Sequence, residues 1–207
     1  MRAFHATTGA VAASQPMRHS NPKTSGGTVR IVAGSLRGSR LAVPGVDGLR
    51  PTPDRVRETV FNWLAPVIAG ARCLDLYAGT GALGIEALSR GARECVFVER
   101  DRALCRQLQD NLARLNVAAA RVVNAAAEGF LAKPEAPFGL VFLDPPFGAD
   151  LWATSARQLE RGGWLAPDAW VHVEAPTGAT FELPPNWNLH REGRAGAVRY
   201  ALYRRVA

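Results

Sequence analysis

Beyond Gly70, strand-like and helix-like segments alternate along the chain. The strand-like runs are Cys73–Tyr77, Cys95–Glu99, Arg121–Asn124 and Leu140–Leu143, and the segments with helical periodicity are Ala82–Arg90, Asp101–Leu115 and Leu151–Glu160. Parallel strands are joined by crossover helices, so this order predicts an α/β fold whose mostly parallel sheet is covered on both faces. Three later strands are predicted, the last two pairing as an antiparallel hairpin: Trp170–Glu174, Leu189–Arg194 and Val198–Arg204.

The part before Gly70 predicts a smaller unit. Val29–Val32 and Arg40–Val43 flank a glycine-containing connection and predict a β-hairpin whose arginines face outward. A helix should follow, with Thr52 as its N-cap and with Pro53 and Asp54 in its first turn. We therefore divide the chain into a flexible tail (1–28), a basic extension (29–64) and a main domain (65–207).

The tail contains no acidic residue and too little apolar surface to offset the entropy of ordering. Its composition also resembles that of organelle transit peptides, but no amphipathic helix bearing arginines is found in it. Met17 is an alternative first residue of the native protein.

Charge and composition restrict the class of protein. Hydrophobic residues make up 47% of the 207 positions, which excludes a disordered chain, and no apolar run is long enough for a membrane helix. Nine of the 25 basic residues but only three of the 18 acidic ones lie in the first 64 positions, so most of the net charge of +7 lies there. Cys73, Cys95 and Cys105 are predicted to be buried thiols in a reducing cytoplasm, and no metal site is expected.

A glycine loop joins the first strand of the main domain to its first helix. Gly79, Gly81 and Gly84 fit the pattern G-x-G-x-x-G, which brings backbone close to a ligand, although a tight turn alone explains them too. Glu99 ends the next strand, where a carboxylate can bind both ribose hydroxyls of NAD or of S-adenosylmethionine. Asp75 would repel a pyrophosphate but attract a sulfonium and an ammonium, so S-adenosylmethionine is favoured. Alternatively, Asp75 accepts hydrogen bonds from the loop itself.

The segment Val141–Phe147 places an acid, two prolines and an aromatic ring where a strand ends. Asp144 and the carbonyl of Pro145 can accept the two N–H groups of an exocyclic base amine, and Pro146 stiffens the backbone. Phe147 can stack on the base, which is worth roughly 1–3 kcal/mol. An ordinary strand-terminating turn would explain the prolines, but neither the acid before them nor the ring after them.

Five segments together resemble the bacterial RsmD family of class I methyltransferases. They are R-I-V-A-G-S-L-R-G-S-R-L (30–41), T-P-D-R-V-R-E-T-V-F-N-W-L (52–64), D-L-Y-A-G-T-G (75–81), D-P-P-F (144–147) and W-N-L-H-R-E-G (187–193). The resemblance spans Val29 to Arg205 and implies methylation of the N2 amine of a guanine in 16S ribosomal RNA. It implies a cytoplasmic monomer that acts on this RNA either free or within a partly assembled small subunit.

The resemblance also implies roles for residues. The residues implied to hold the guanine are Asp144, Pro145, Pro146 and Phe147; those implied to hold S-adenosylmethionine are Asp75, Tyr77, Gly79, Gly81, Glu99 and Ala127; and those implied to bind RNA are Arg30, Arg37, Arg40, Arg50, Arg55 and Arg57. One departure is Ala126, where such proteins often carry a polar residue near the adenine, so adenine recognition would depend on backbone groups near Ala127. Arg55 and Arg57 could instead pair with Glu58 or with the cofactor carboxylate.

Three other functions remain to be distinguished. A DNA methyltransferase acting on adenine N6 or cytosine N4 would share the D-P-P-F chemistry, but the chain shows no obvious sequence-reading domain. A nicotinamide dehydrogenase would need a catalytic His, Lys or Tyr near the sheet edge. A non-catalytic RNA-binding protein would need neither Asp144 nor the glycine loop.

Overall fold

A computed structural model describes residues 27–45, 52–133 and 135–207 of the chain. Its elements are β1 (Gly27–Arg30), β2 (Arg40–Val43), α1 (Asp54–Leu64), β3 (Arg72–Asp75), α2 (Ala82–Ser89), β4 (Glu94–Glu99), α3 (Arg102–Arg114), β5 (Ala120–Asn124), α4 (Ala127–Leu131), β6 (Phe138–Leu143), α5 (Trp152–Arg161), β7 (Leu165–Pro176), β8 (Trp187–Ala195) and β9 (Val198–Arg205). None of the helices in these ranges combines the length and the apolar character needed to cross a membrane.

Seven strands form one sheet in the order β5-β4-β3-β6-β7-β9-β8. The first five are parallel to one another, whereas β9 pairs antiparallel with both β7 and β8. The prediction of a mostly parallel α/β sheet with a C-terminal antiparallel hairpin is therefore confirmed. Since β9 begins at Val198 opposite Pro176, the tip of the β8–β9 hairpin lies at the same edge as the carboxyl ends of the parallel strands.

Each face of the sheet is covered by its own apolar core. On one face, α1, α2, α3 and the β1–β2 hairpin bury residues such as Ile31, Phe61 and Ile85 against Phe142 of the sheet. On the other face, α4 and α5 bury Phe130, Trp152 and Leu159 among others. This two-sided burial explains why the central strands consist of almost continuous apolar residues.

Local signals in the sequence agree with the start of α3 and the end of α2. The side chain of Asp101 accepts hydrogen bonds from the backbone N–H groups of Ala103 (2.7 Å) and Leu104 (2.9 Å) and so caps α3. Gly91, with a φ of 98°, follows α2 in the conformation that favours glycine after a helix end. Sequence reasoning missed the short helix α4, because five residues show too little periodicity.

The N-terminal part differs from its prediction in two places. β1 begins at Gly27, so Gly27 and Thr28 pair with β2 instead of belonging to a tail. Pro53 occupies the N-cap position of α1, without a side-chain cap, and the predicted N-cap Thr52 is wrong. The hydroxyl of Thr52 instead donates a hydrogen bond to Glu174 of β7. Residues 1–26 of the proposed tail, and Arg50, lie outside the described residues; the domain boundaries stay predictions.

Candidate active site

Carboxyl side chains meet at the carboxyl edge of the sheet. Asp75 ends β3, Glu99 ends β4, Asp144 directly follows β6, and Glu174 lies near the end of β7. The register pairs Asp75 with Phe142 and Leu143 with Val173, so these strand ends stand side by side. In open α/β sheets this edge is where ligands bind. The fold therefore brings together the acids that the sequence placed at the ends of separate strands.

Asp75 is buried beneath the glycine loop. Its Oδ2 accepts a hydrogen bond from the N–H of Gly84 (3.0 Å), so the carboxylate does bind the loop, as in the alternative interpretation. Burial raises the pKa of Asp75 to about 7; the hydrogen bond from Gly84 opposes this rise, and the charges of Glu99 and Glu174 add to it. A bound cation would relieve the desolvation and repulsion that disfavour the ionised form.

The loop glycines allow the backbone to come close to the core. Gly79 and Gly81 have φ values of 51° and 75°, where side chains are strained. A Cβ at Gly81 would lie 2.3 Å from a methyl carbon of Leu108, and one at Gly84 would lie 2.2 Å from the ring of Phe97. The glycine loop and α2 are thus packed so closely against α3 and β4 that Gly81 and Gly84 exclude larger residues.

Glu99 is held in place by backbone groups on both sides. Its Oε2 accepts from the N–H of Gly79 (2.9 Å), and its Oε1 accepts from the N–H of Asp101 (2.8 Å). Each carboxylate oxygen has a second lone pair, so the half-buried side chain can still accept from two ligand hydroxyls. This geometry fits the predicted ribose-binding role.

Tyr77 and Ala127 flank the same edge on the side of α4 and α5. The hydroxyl of Tyr77 lies 2.7 Å from Oγ of Ser155 in α5, and its side chain is half-buried. Ala127 is the first residue of α4, and its side chain is buried. A first-turn N–H has no partner inside its own helix, so the Ala127 N–H is the kind of backbone donor that adenine recognition would need.

The carboxyl group of Asp144 is affected by the charge of Glu174. Desolvation, followed by the charges of Glu174 and Asp75, raises the pKa of Asp144 well above its usual value. Burial raises the pKa of Glu174 to about 7, opposed by the hydrogen bond from Thr52 and by the charge of Arg57. Within the described residues the Asp144 carboxyl has no hydrogen-bond partner, and its side chain is partly exposed, so it is available to an external donor.

The D-P-P-F segment presents an aromatic ring to the outside. Pro145 is buried, whereas Pro146 is exposed and its carbonyl accepts from the N–H of Ala149 (3.1 Å). The ring of Phe147 is 45% exposed and lies 6.2 Å, centroid to centroid, from that of the buried Trp152. An exposed ring beside an unpartnered carboxyl is suited to hold a planar base bearing an amine.

Arg57 does not lie on the surface, so its predicted contact with RNA is wrong. The side chain is completely buried and donates to the carbonyls of Thr52 (3.2 Å) and Arg30 (2.6 Å). It also pairs with Asp54 (2.6 Å) and Glu86 (3.5 Å), and not with the suggested Glu58. Its physical role is to join the hairpin, α1 and α2.

Arg37, one of the exposed arginines of the extension, lies away from the active edge. Arg30, Arg37, Arg40 and Arg55 are exposed. The turn before Arg37 binds Ser89, since the N–H groups of Ser35 and Leu36 donate to that residue (2.7 and 2.9 Å). Ser89 ends α2 and the glycine loop precedes it, so Arg37 is about 12 Å along the helix from the loop. The expected cluster beside the active edge therefore does not include Arg37.

Sequence reasoning missed Thr52 and Glu174 as parts of this edge. A signal for Glu174 was present, because it is an acid near the end of an apolar strand, like Asp75, Glu99 and Asp144. Within the described ranges, no group of three or more His, Cys, Asp or Glu side chains is placed to hold a metal ion.

Comparisons with known proteins give one consistent match. A family model described as Conserved hypothetical protein 95 matches residues 29–204. The chain is 52% identical over 188 residues to the ribosomal RNA small subunit methyltransferase D of Escherichia coli strain K12, which covers 90% of this chain and 95% of that relative. It is 44% identical over 181 residues to the protein of the same name from Haemophilus influenzae, covering 86% and 94%. The solved structure of yhhF from Escherichia coli superposes with a TM-score of 0.82 at 53% identity, covering 87% of this chain and 99% of that one.

Proposed function

Because the chain belongs to the RsmD family of ribosomal RNA methyltransferases, we propose that it transfers a methyl group from S-adenosylmethionine to the N2 amine of a guanine in 16S ribosomal RNA. The family match confirms the resemblance that was predicted from the sequence, and the similar solved structures confirm the class I methyltransferase fold. The observation that carries the proposal is the juxtaposition of the unpartnered Asp144 carboxyl, the exposed Phe147 ring and the buried acid Asp75.

The donor set of the edge fits S-adenosylmethionine. This cofactor supplies an electrophilic methyl group on a sulfonium, and it carries an ammonium but no phosphate. Asp75, Asp144 and Glu174 meet at one place, where a bound cation would favour their ionised forms and a pyrophosphate would oppose ionisation. Glu99 would bind the ribose hydroxyls, Gly79 and Gly81 would allow close backbone approach, and Tyr77 and Ala127 would flank the adenine.

The reaction requires the base amine to be aimed at the methyl carbon. Asp144 and the Pro145 carbonyl would accept the two N–H groups, which turns the nitrogen lone pair toward the donor. As the amine nitrogen takes up the methyl group that S-adenosylmethionine would supply, one of its protons must leave. Asp144, already bound to that N–H, is the acceptor best placed for the proton, and Phe147 would stack on the base and exclude water.

RNA is the proposed partner, since the curated relatives are named as ribosomal RNA small subunit methyltransferases. Contacts from Arg30, Arg40, Arg50 and Arg55 to phosphates remain predictions. So do action on a partly assembled subunit, a monomeric state and a cytoplasmic location. A DNA amine methyltransferase is less well supported, because the relatives at 44% and 52% identity are named for RNA.

The test compares D144A with D168A, which removes an exposed aspartate at the other end of β7. We expect wild-type protein and D168A to transfer labelled methyl groups to ribosomal RNA from a strain that lacks the enzyme. D144A should lose at least a hundredfold in kcat, on the scale of other positioned catalytic groups, while its affinity for S-adenosylmethionine changes little. Mass spectrometry of digested RNA identifies the product. Tight NAD binding without S-adenosylmethionine binding would contradict the proposal, as would full turnover by D144A.

A further inference from the structure

Two arginines face each other directly at the tip of the C-terminal hairpin. Arg194 of β8 and Arg199 of β9 are register partners in the antiparallel pair. Such partners have Cβ atoms about 4.5–5.5 Å apart, and like charges in this position destabilise a sheet. Among the described residues neither guanidinium has a salt-bridge partner within 4.0 Å or a hydrogen bond. An anion bound between them would relieve this repulsion.

The pair belongs to the active edge of the protein. β9 runs antiparallel to β7, and Arg199 pairs with Ala175, the residue after Glu174. The hairpin tip therefore stands beside the strand end that carries the acid next to Asp144. No feature of the N-terminal extension is needed to bring it there.

An aromatic path connects the arginine pair to the proposed base-binding ring. The guanidinium carbon of Arg199 lies 5.5 Å from the ring centroid of Phe181. Phe181 stacks on Trp152 at 5.2 Å with an interplanar angle of 13°, and Trp152 lies 6.2 Å from Phe147. A strand stacked on Phe147 could therefore reach the arginines within a few nucleotides, which is the length that single-strand binding surfaces commonly engage.

Charge decides which partner fits this surface. Glu192 lies two positions before Arg194 in β8, so the two side chains share a face of the sheet, but Glu192 forms no ion pair with the arginines in the described structure. A guanidinium pair bound to phosphates gives salt-dependent affinity and orientation. Solvent-accessible rings such as Phe147 and Phe181 beside unpaired guanidiniums are typical of surfaces that bind a nucleic-acid strand.

We propose that Arg194 and Arg199 bind phosphates of the RNA strand that flanks the target guanine, with the half-buried Phe181 supporting the strand between them and Phe147, and with the buried Trp152 packing against both rings. This inference rests on the proposed function. It gives the C-terminal hairpin a binding role and does not depend on the basic extension.

The test uses the full chain with both arginines replaced, R194Q/R199Q. The matched control is R157Q/R161Q, which removes the same charge from α5, where both side chains are exposed. Affinity for a 16S ribosomal RNA fragment is measured over a range of salt concentrations. Two lost phosphate contacts should reduce the slope of log K against log salt by about 1.4–1.8. The KM for RNA should rise at least tenfold, while kcat and the affinity for S-adenosylmethionine stay near wild type.

Loss of folding does not account for such a result, since removing the like-charge repulsion should leave the Tm of R194Q/R199Q at or above that of wild type. An unchanged salt slope, or a slope equal to that of R157Q/R161Q, overturns the inference. Failure of the proposed function is recognised separately, because wild-type protein would then transfer no methyl group to ribosomal RNA.

Discussion

The hydroxyl of Thr52 donates a 3.0 Å hydrogen bond to Oε1 of Glu174, and both side chains are buried. Thr52 precedes α1 in the basic extension, and Glu174 lies beside Asp144 at the active edge. The backbone carbonyl of Thr52 also accepts from Arg57 (3.2 Å). The extension and the methyltransferase sheet are thus joined at the candidate site, so a substitution in one should alter the stability of the other.

T52V should destabilise the protein in a way that depends on pH. The valine leaves Glu174 without its hydroxyl donor, which should cost about 1–3 kcal/mol of unfolding free energy. Because the pKa of Glu174 is raised from 4.5 to about 7, its ionisation lowers stability as the pH rises through that window. The lost bond favoured the ionised form, so urea denaturation should show a larger loss at pH 8 than at pH 5.

T59V is the matched control, since the exposed Thr59 hydroxyl donates only to the carbonyl of Arg55 within its own helix. Its effect should stay within about 0.5 kcal/mol at both pH values. Equal losses for T52V at pH 5 and pH 8 would contradict the assigned role of Glu174.

R57M should be severely destabilising although it lies in the segment predicted to bind RNA. Arg57 is buried and pairs with Glu86, whose side chain is also completely buried. Removing one partner of a buried ion pair typically costs about 3–5 kcal/mol. R55M changes an exposed arginine two positions away and should change the unfolding free energy by less than about 0.5 kcal/mol. Chemical denaturation measures the unfolding free energy of both variants. Equal values for R57M and R55M would contradict the buried position of Arg57.

H172L should make the protein more resistant to acid. His172 is completely buried, neither ring nitrogen has a hydrogen-bond partner in the described structure, and burial lowers its pKa to about 3. A base with a lowered pKa loses stability as the pH falls from 6.5 toward 3, because the unfolded chain takes up the proton first. Leucine removes this penalty, which amounts to about 2 kcal/mol at pH 5 at 1.36 kcal/mol per pKa unit.

Denaturation curves of H172L and wild type at pH 5 and pH 8 test this prediction, and pH 8 is the control because the imidazole is then neutral in both the folded and the unfolded wild-type chain. The gain of H172L over wild type should be larger at pH 5 by about that amount. Parallel pH profiles for the two proteins would contradict it.

Local and periodic features could be predicted from the sequence alone. The alternation of strands and helices, the glycine loop and the acids at strand ends each depend on near neighbours or on a simple period. They were enough to predict the architecture and the edge of the sheet where the candidate site lies. The family resemblance rests on the same short segments. The prediction failed where a side chain's partner lies far along the chain.

Tertiary packing decided the rest. The neighbours of Thr52 in the sequence predicted a helix cap, but its hydrogen-bond partner Glu174 is 122 positions away. Arg57 was predicted to be one of several surface arginines, yet the hairpin and α2 cover it and supply hydrogen-bond acceptors for its guanidinium. Arg194 and Arg199 come to the active edge only because β9 adds antiparallel to β7. Burial and ion pairing depend on which distant segments cover a residue, and a one-dimensional pattern contains no record of those contacts.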